Sequence, residues 1–214
     1  MHEQDHGIIL RVRSLSESSL VVHWLAVGMG RVATVARGAR RPKSPLLGKL
    51  DLFVTADLSL VRSAHSTLHT LREVVVVRRR DALARDLAVL AMASYAVHAI
   101  ELGTEPDTPI PELHDLMAGF VDHLVEHPPA ARVLHAFEIK LLACLGLEPN
   151  LGDASLPPAA RELLAGLLEL DWPDLAALQP DPLAARIVGP FLQRSIQEGL
   201  GRIPKGRAEA LGKG

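Results

Sequence analysis

"SLVVHWLAVGMGRVATVAR", residues 19–37, decides the fold. Two apolar runs flank a Gly-Met-Gly centre. Gly28 to Ala33 spells G-x-G-x-x-A, a pattern that binds dinucleotides only when the glycines lead into a helix N-terminus that holds the pyrophosphate. Here the glycines lead into Val32, Thr34 and Val35, whose branched side chains favour strand. Val27 to Arg31 therefore reads as a glycine hairpin between two strands, not as a cofactor loop.

The same texture extends outward. "GIILRVR" (7–13), "DLFVTADLSLV" (51–61) and "REVVVVR" (72–78) are short, rich in Val, Leu and Thr, and separated by turn residues. With the two runs at 19–37, they predict five strands over residues 1–80, a small sandwich or five-stranded barrel. Pro42 and Pro45 keep residues 38–48 out of any central strand, so that stretch is expected to be a loop.

From Asp81 the period becomes helical. Leu83, Leu87, Leu90, Ser94 and Val97 suggest one helix fading at Gly103, with Cys144 and Leu145 closing a later stripe of Leu134, Phe137 and Leu141. Between them, Thr108 and Pro109 form a capping pair ahead of Leu113, Leu116, Met117, Phe120, Val121 and Leu124. Pro128 and Pro129 end that helix, and Gly146 stops the next. A fourth helix is expected from Ser155 or Pro157, burying Leu163, Leu164, Leu167 and Leu168. A last one opens at Asp181–Pro182 and is broken or kinked at Gly189–Pro190. The predicted architecture is a β-barrel over residues 1–80 and an all-helical domain over 81–214.

Charge divides at the same place. Of 214 residues, the first 80 hold 13 Lys/Arg against 6 Asp/Glu, a net +7, whereas the rest hold 10 against 19, a net −9. Such asymmetry suggests a half that binds a polyanion joined to a half with another task. The basic half has a focus. Arg31, Arg37, Arg40, Arg41, Lys43 and Lys49 fall within 19 residues without one acid, so no local ion pair absorbs their charge. Arginine is the better phosphate fork, Gly38 leaves backbone room beside Arg37, and Arg13, Arg62, Arg72 and Arg78 to Arg80 add charge to the same domain. Nucleic-acid phosphates are the expected ligand. Residues 1–80 offer only Trp24 and Phe53 as ring side chains outside histidine, both expected in the core. Affinity should then come from phosphates, with steep salt dependence and little base preference.

Other patterns carry less. "HLVEH", His123 to His127, has the spacing of a zinc-peptidase helix with Glu126 as base, but His127 precedes Pro128, which disfavours helical geometry there. A hydrolase on His123, Glu126 and His127 is thus a rival of low standing, and "HSTLH" (65–69) lacks even the Glu. Cys144, the single cysteine, excludes an internal disulfide and reads as a small core residue. The opening "MHEQDHGIIL" carries acids where a secretion signal carries lysines, and no apolar run spans a membrane, so a cytoplasmic protein is expected.

Four motifs in order resemble the RecO family of bacterial recombination mediators and DNA-repair proteins. They are Gly7 with Glu17–Ser18; Gly30–Arg31 with "ARGARR" (36–41); "LHTLRE" (68–73); and "FEIKLLACLGLEPNL" (137–151). A weaker echo lies in "IPKGRAEAL". The resemblance implies an N-terminal OB-fold and a helical C-terminal domain. It also implies a non-catalytic protein that binds single- and double-stranded DNA and anneals strands. With RecR, such a protein helps load recombinase on strands coated by single-stranded DNA-binding protein. Arg31, Arg37, Arg40, Arg41 and Lys43 would meet phosphates, with Lys49 and Arg62 as additional candidates. Many members carry two Cys-x-x-Cys pairs after the Pro-x-Leu, but "PNLGDASLPPAARELL" has none, so no zinc cofactor is expected. A ribosome- or RNA-associated OB module is the alternative, since it would share every electrostatic feature. The acidic half would dock proteins, and the basic tail (Arg202, Lys205, Arg207 and Lys213 against Glu209) is read as a solvated end.

Overall fold

The computed structural model describes residues 2–152 and 156–212. Five strands form a closed barrel: β1 (His2–Ser14), β2 (Leu20–Ala26), β3 (Gly30–Ala36), β4 (Thr55–Val61) and β5 (Leu68–Arg78), in the order β1-β2-β3-β5-β4. The expected OB-fold barrel is present. β1 serves two neighbours: Gly7–Ser14 pairs with β2, and His2–Ile8 with β4. A register shift between Ile9 and Arg11 bends it between the two. Its polar start, His2 to His6, has no apolar alternation, which is why the strand begins earlier than the pattern predicts.

Inward residues form one core that includes Ile9, Val22, Trp24, Val32, Ala56, Leu58, Leu60 and Leu71. Trp24 is fully buried, and its indole Nε1 donates to Thr34 Oγ1 at 3.0 Å, so its one polar atom is satisfied. Phe53 is also buried. It sits at φ 60° in a turn that delays β4 to Thr55, its N–H donates to Ile9 O, and its carbonyl accepts from buried Arg80.

Closure between β3 and β5 rests on three parallel pairs, Ala33–Leu68, Thr34–His69 and Val35–Thr70. The remaining edge of β3 is covered by residues 104–109, a strap that bridges Arg31 to Pro106. Edges left bare invite other strands, and this one is not bare. The chain accordingly divides into two compact units, residues 1–81 with 104–118, and residues 82–103 with 119–214.

The second unit contains α1 (Leu87–Gly103), the later half of α2 (Pro111–Glu126), α3 (Ala131–Cys144), α4 (Pro158–Glu169), α5 (Trp172–Ala177), α6 (Pro182–Leu200) and α7 (Arg207–Ala210). A core of Ala136, Ile139, Leu164, Leu167, Leu175, Val188 and Leu192 joins α3 to α6. The expected Leu113–Leu124 stripe is buried throughout. α3 ends as expected at Gly146, with Leu147 N–H donating to Leu142 O and Gly146 N–H to Ala143 O.

Several expectations need correction. α1 starts from Asp86, whose carboxylate accepts from the Ala88 and Val89 amides, and Leu87 is 84% exposed. The buried set is instead Val89, Met92, Ala93, Tyr95, Ala96, Val97, Ala99 and Ile100, too many faces for one stripe. Thr108 does not cap α2. Its hydroxyl donates to Pro106 O, and the helix begins at Pro111. α6 continues through Pro190 without a break, capped by Asp181 as foreseen. Leu163, Leu168 and Cys144 are half-buried, not core. Ser155 and Lys213 lie outside the described residues.

The C-terminal segment is not a solvated end. Arg207 is 8% exposed and makes a two-pronged pair with Glu138, 1% exposed, at 2.7 and 3.0 Å. Tyr95 donates to the same carboxylate at 2.7 Å, and burial, then the Glu138 charge, pushes its phenol far above the ordinary range. Burial works against the Arg207 charge, and the Glu138 bonds more than offset it, leaving the guanidinium held protonated.

Candidate nucleic-acid interface

β3 carries both ends of the problem. Its burial alternates, so Val32, Thr34 and Ala36 point inward while Arg31, Ala33 and Val35 point out. Arg37, one step past the strand, continues the outward row. Six residues at about 3.3 Å each set Arg31 and Arg37 roughly 20 Å apart on one face.

At the Arg37 end lies the loop that Pro42 and Pro45 announced. Successive turn bonds run Ala39 to Ala36, Arg41 to Gly38, Ser44 to Arg41, Leu47 to Ser44 and Lys49 to Leu46. Ala39 and Leu46 are buried members of the barrel core, so the loop is nailed down at two points. Arg40 N–H donates to Ser18 O at 3.0 Å and Gly38 N–H to Ser19 Oγ at 3.1 Å, tying it to the β1–β2 turn. Gly38 has φ 64°, a left-handed conformation that glycine adopts without cost, and the Arg41 stem lies close by. With Ala39 and Leu46 turned in, Arg37, Arg40, Arg41 and Lys43 are exposed. Arg40 makes one long contact, 3.5 Å to Ser14 Oγ; the side chains of Arg37, Arg41 and Lys43 have no polar partner among the described residues.

The Arg31 end is different. Arg31 is half-buried, donating from Nε to Thr104 Oγ1 at 2.7 Å and from Nη2 to Thr104 O at 2.6 Å. Arg62 donates from Nε to Glu3 at 2.7 Å and from Nη1 to Asp107 at 2.6 Å, and these bonds hold it above the ordinary guanidinium range. Lys49 donates to Val74 O at 2.9 Å. Arg80, from the triplet, is buried against Phe53 O and Thr55 Oγ1. The structure thus brings four of the seven sequence-predicted cations together in the open and gives the other three internal partners.

Neighbouring strands extend this basic face. The pairings place Arg11, His23 and Ala33 in one outward row, and Arg13, Val21 and Val35 in the next. Neither row contains an acid. Arg13 is exposed and stands beside Ser14, the Arg40 contact. In the sequence Arg13 reads only as domain charge and Arg11 does not stand out; the Arg-Val-Arg alternation at 11–13 is the signal that places both on one face, since the side-chain period is two. Across the barrel, Asp5, Asp57 and Glu73 line an open groove of about 370 Å³ with Gln4, Leu58, Ser59 and Val75.

The histidines of "HLVEH" are packing. His123 is 4% exposed, its ring 4.6 Å from His127 and 6.0 Å from Trp172, and burial, then the neighbouring His127 charge, holds it below the usual imidazole range. Among the described residues no group of three or more His, Cys, Asp or Glu is placed to hold a metal ion. The zinc implied by the family does not fit here: the stretch after Leu151 supplies no thiol or imidazole, and Leu156 enters the apolar core. No helix among the described residues is long and apolar enough to cross a membrane.

Comparison with known proteins identifies the family. The family model "Recombination protein O N terminal" matches residues 1–80, and "Recombination protein O C terminal" matches residues 84–156. The DNA repair protein RecO of Anaeromyxobacter dehalogenans strain 2CP-C is 31% identical over 210 residues, covering 84% of this chain and 83% of its own. That of Anaeromyxobacter sp. strain K is 34% identical over 209 residues, 83% and 82% of the two chains. The Symbiobacterium thermophilum protein is 36% identical over 149 residues, 68% of this chain and 57% of its own. A closed five-strand barrel, the helical domain after it in the chain and relatives matched over most of both lengths lead to one statement: the chain belongs to the RecO family of DNA-repair proteins.

Proposed function

We propose that this protein binds single- and double-stranded DNA through Arg37, Arg40, Arg41 and Lys43, and promotes annealing of complementary strands. One observation carries the reading: four cations without an acid among them are held outward by a loop whose Ala39 and Leu46 are fixed in the barrel core. A preset cationic surface offsets the repulsion between two phosphate chains and raises their local concentration, while base pairing supplies selectivity. With Trp24 and Phe53 buried, the described residues of the barrel present no exposed Trp, Phe or Tyr ring on which bases could stack, so single strands and duplexes are held by the same contacts. Arg13 lies on the path of a strand leaving the loop. Arg31, Lys49 and Arg62 are not first contacts, because their donors are engaged within the barrel unit.

In the cytoplasm, with RecR, such a surface would act on strands coated by single-stranded DNA-binding protein and help recombinase load there. The acidic helical half repels DNA and suits protein docking. The test is equilibrium binding across a salt series to unrelated single strands, duplex DNA and RNA. Four phosphate contacts give a log–log slope of about −3 on single strands, and Arg40→Ala with Arg41→Ala should bring it to about −1.4 for every sequence. An unchanged slope, a loss confined to one sequence, or a clear preference for RNA would refute the assignment.

A further inference from the structure

At the strap end of the barrel Arg62 bridges two carboxylates, donating from Nε to Glu3 at 2.7 Å and from Nη1 to Asp107, and a second donor converges on Asp107. Asp107 Oδ1 accepts from Arg62 Nη1 at 2.6 Å, and His69 Nε2 points at the same oxygen from 3.7 Å. His69 is 4% exposed, and its Nδ1 accepts from the Ser63 amide at 3.2 Å. An accepting Nδ1 leaves the ring N–H on Nε2, and that buried N–H has no hydrogen-bond partner, since 3.7 Å is too long for one. An unmet buried donor is costly and calls for an acceptor. Asp107 meanwhile is held at φ 56°, unusual for a side-chain-bearing residue, by its N–H bond to Arg31 O at 3.0 Å. Arg31 flanks the same place, its guanidinium turned onto Thr104.

These features describe an anion site that already contains an anion of its own, reached imperfectly. We propose that Arg62 and His69 form a second phosphate site for a bound DNA strand, with Asp107 occupying it until the strand arrives. The inference rests on the proposed grip of the Arg37–Lys43 loop on DNA and extends it. Arg31 and Arg37 stand on one outward face of β3 with Ala33 and Val35 between, so a strand gripped by the loop and laid along β3 leads to the strap. A phosphodiester has oxygens on more than one side and can meet His69 Nε2 and Arg62 together, which one carboxylate oxygen fixed by its backbone does not. Strand and strap are thus in competition, and strand binding lifts residues 104–109 from the edge of β3.

The test uses the full chain. Asp107→Asn keeps the size and the tolerance for left-handed backbone but removes the competing charge. Expected is several-fold tighter binding of a mixed-sequence single strand at low salt, with the salt slope steeper by about 0.7, one more phosphate. Adding Arg62→Gln to Asp107→Asn should return the slope to the wild-type value. An unchanged slope in Asp107→Asn overturns the proposal, as does a gain that survives Arg62→Gln, which would mean only that a negative charge had gone. Should the variants fold poorly, the wild type still decides: exchange of the Asp107 amide must quicken when the strand saturates, and unchanged exchange overturns the proposal. Inorganic phosphate at millimolar concentration is the parallel arm. If it shifts the His69 imidazole resonances as fully as the strand does, the site takes free phosphate and the strand assignment falls. Failure of wild-type strand binding would remove the loop's role, whereas a null Asp107→Asn result on intact binding removes the second site alone.

Discussion

Arg31 and Arg40 stand nine residues apart in one acid-free run, and the fold uses them in opposite ways. Arg40 rides a loop whose apolar residues are the ones turned inward, so its charge is left to the solvent. Arg31 points outward too, but at the end of β3 where the strap arrives, and Thr104 takes two of its donors. What separates them is not residue type or local charge. It is whether the barrel has an edge to cover nearby. The same lesson holds elsewhere: Arg80 satisfies a turn carbonyl, Arg207 satisfies a buried glutamate, and neither is available to a ligand. Arginine density marks a candidate surface only after such internal uses are subtracted.

If that division is right, substitutions on the two sides should separate cleanly into loss of stability and loss of binding. The largest effect is expected at Arg207. Removing it leaves Glu138 buried with an unpaired charge, which costs about 3–5 kcal/mol; Arg207→Ala should lower the denaturation midpoint accordingly, with strand affinity of the folded fraction unchanged. Gly30→Ala comes next. A Cβ there would collide with the Thr108 carbonyl oxygen, at a backbone φ of 69°. The conformation alone costs about 1–3 kcal/mol, and the clash should push the strap off, read as faster amide exchange over residues 104–109. On the other side, Arg40→Ala with Arg41→Ala should change stability by less than about 0.5 kcal/mol while roughly halving the salt slope. A loop variant that unfolded the barrel, or an Arg207 variant that lost binding without losing stability, would break the comparison.

The sequence shows one side of this division and not the other. Strand count, the loop at 38–48 and the Leu113–Leu124 stripe come from alternation, proline and three-and-four spacing, because those constraints act within ten residues or so. The exposure of Arg37 to Lys43 is legible for the same reason: prolines keep the segment out of the sheet, and Ala39 and Leu46 are the residues with something to bury. The capture of Arg31 is not legible. Its partner Thr104 is 73 residues on, and Arg62 meets Asp107 across 45. Nothing local marks "GTEPDTP" as edge cover, since a strap bonded by one bridge needs no apolar alternation. Register is likewise silent in sequence, so Arg11 and Arg13 join the surface only once β1 is paired with β2. α1 fails differently: eight of its 17 residues are buried, alanines among them, and a helix buried on several sides has no single stripe to find.

The smallest predicted effect concerns the other unit and asks whether its histidines are packing or chemistry. His123 is held below the ordinary value of 6.5, first by burial, then by His127 and Arg132, with the Trp172 backbone and Glu126 pulling the other way. The unfolded chain therefore takes up this proton at a higher pH than the folded chain does. As pH falls through about 6.5, the unfolded state gains the proton first and stability declines; above that pH the two states agree and the effect is absent. His123→Gln keeps a polar side chain beside Trp172 without a titrating group, so its unfolding free energy should vary less between pH 7 and 5 than that of the wild type. Strand binding measured on the folded protein should show no such difference. Were zinc to stabilise the wild type and not this variant, His123 would be a ligand after all, and the reading of "HLVEH" as a packed helix end would have to be given up.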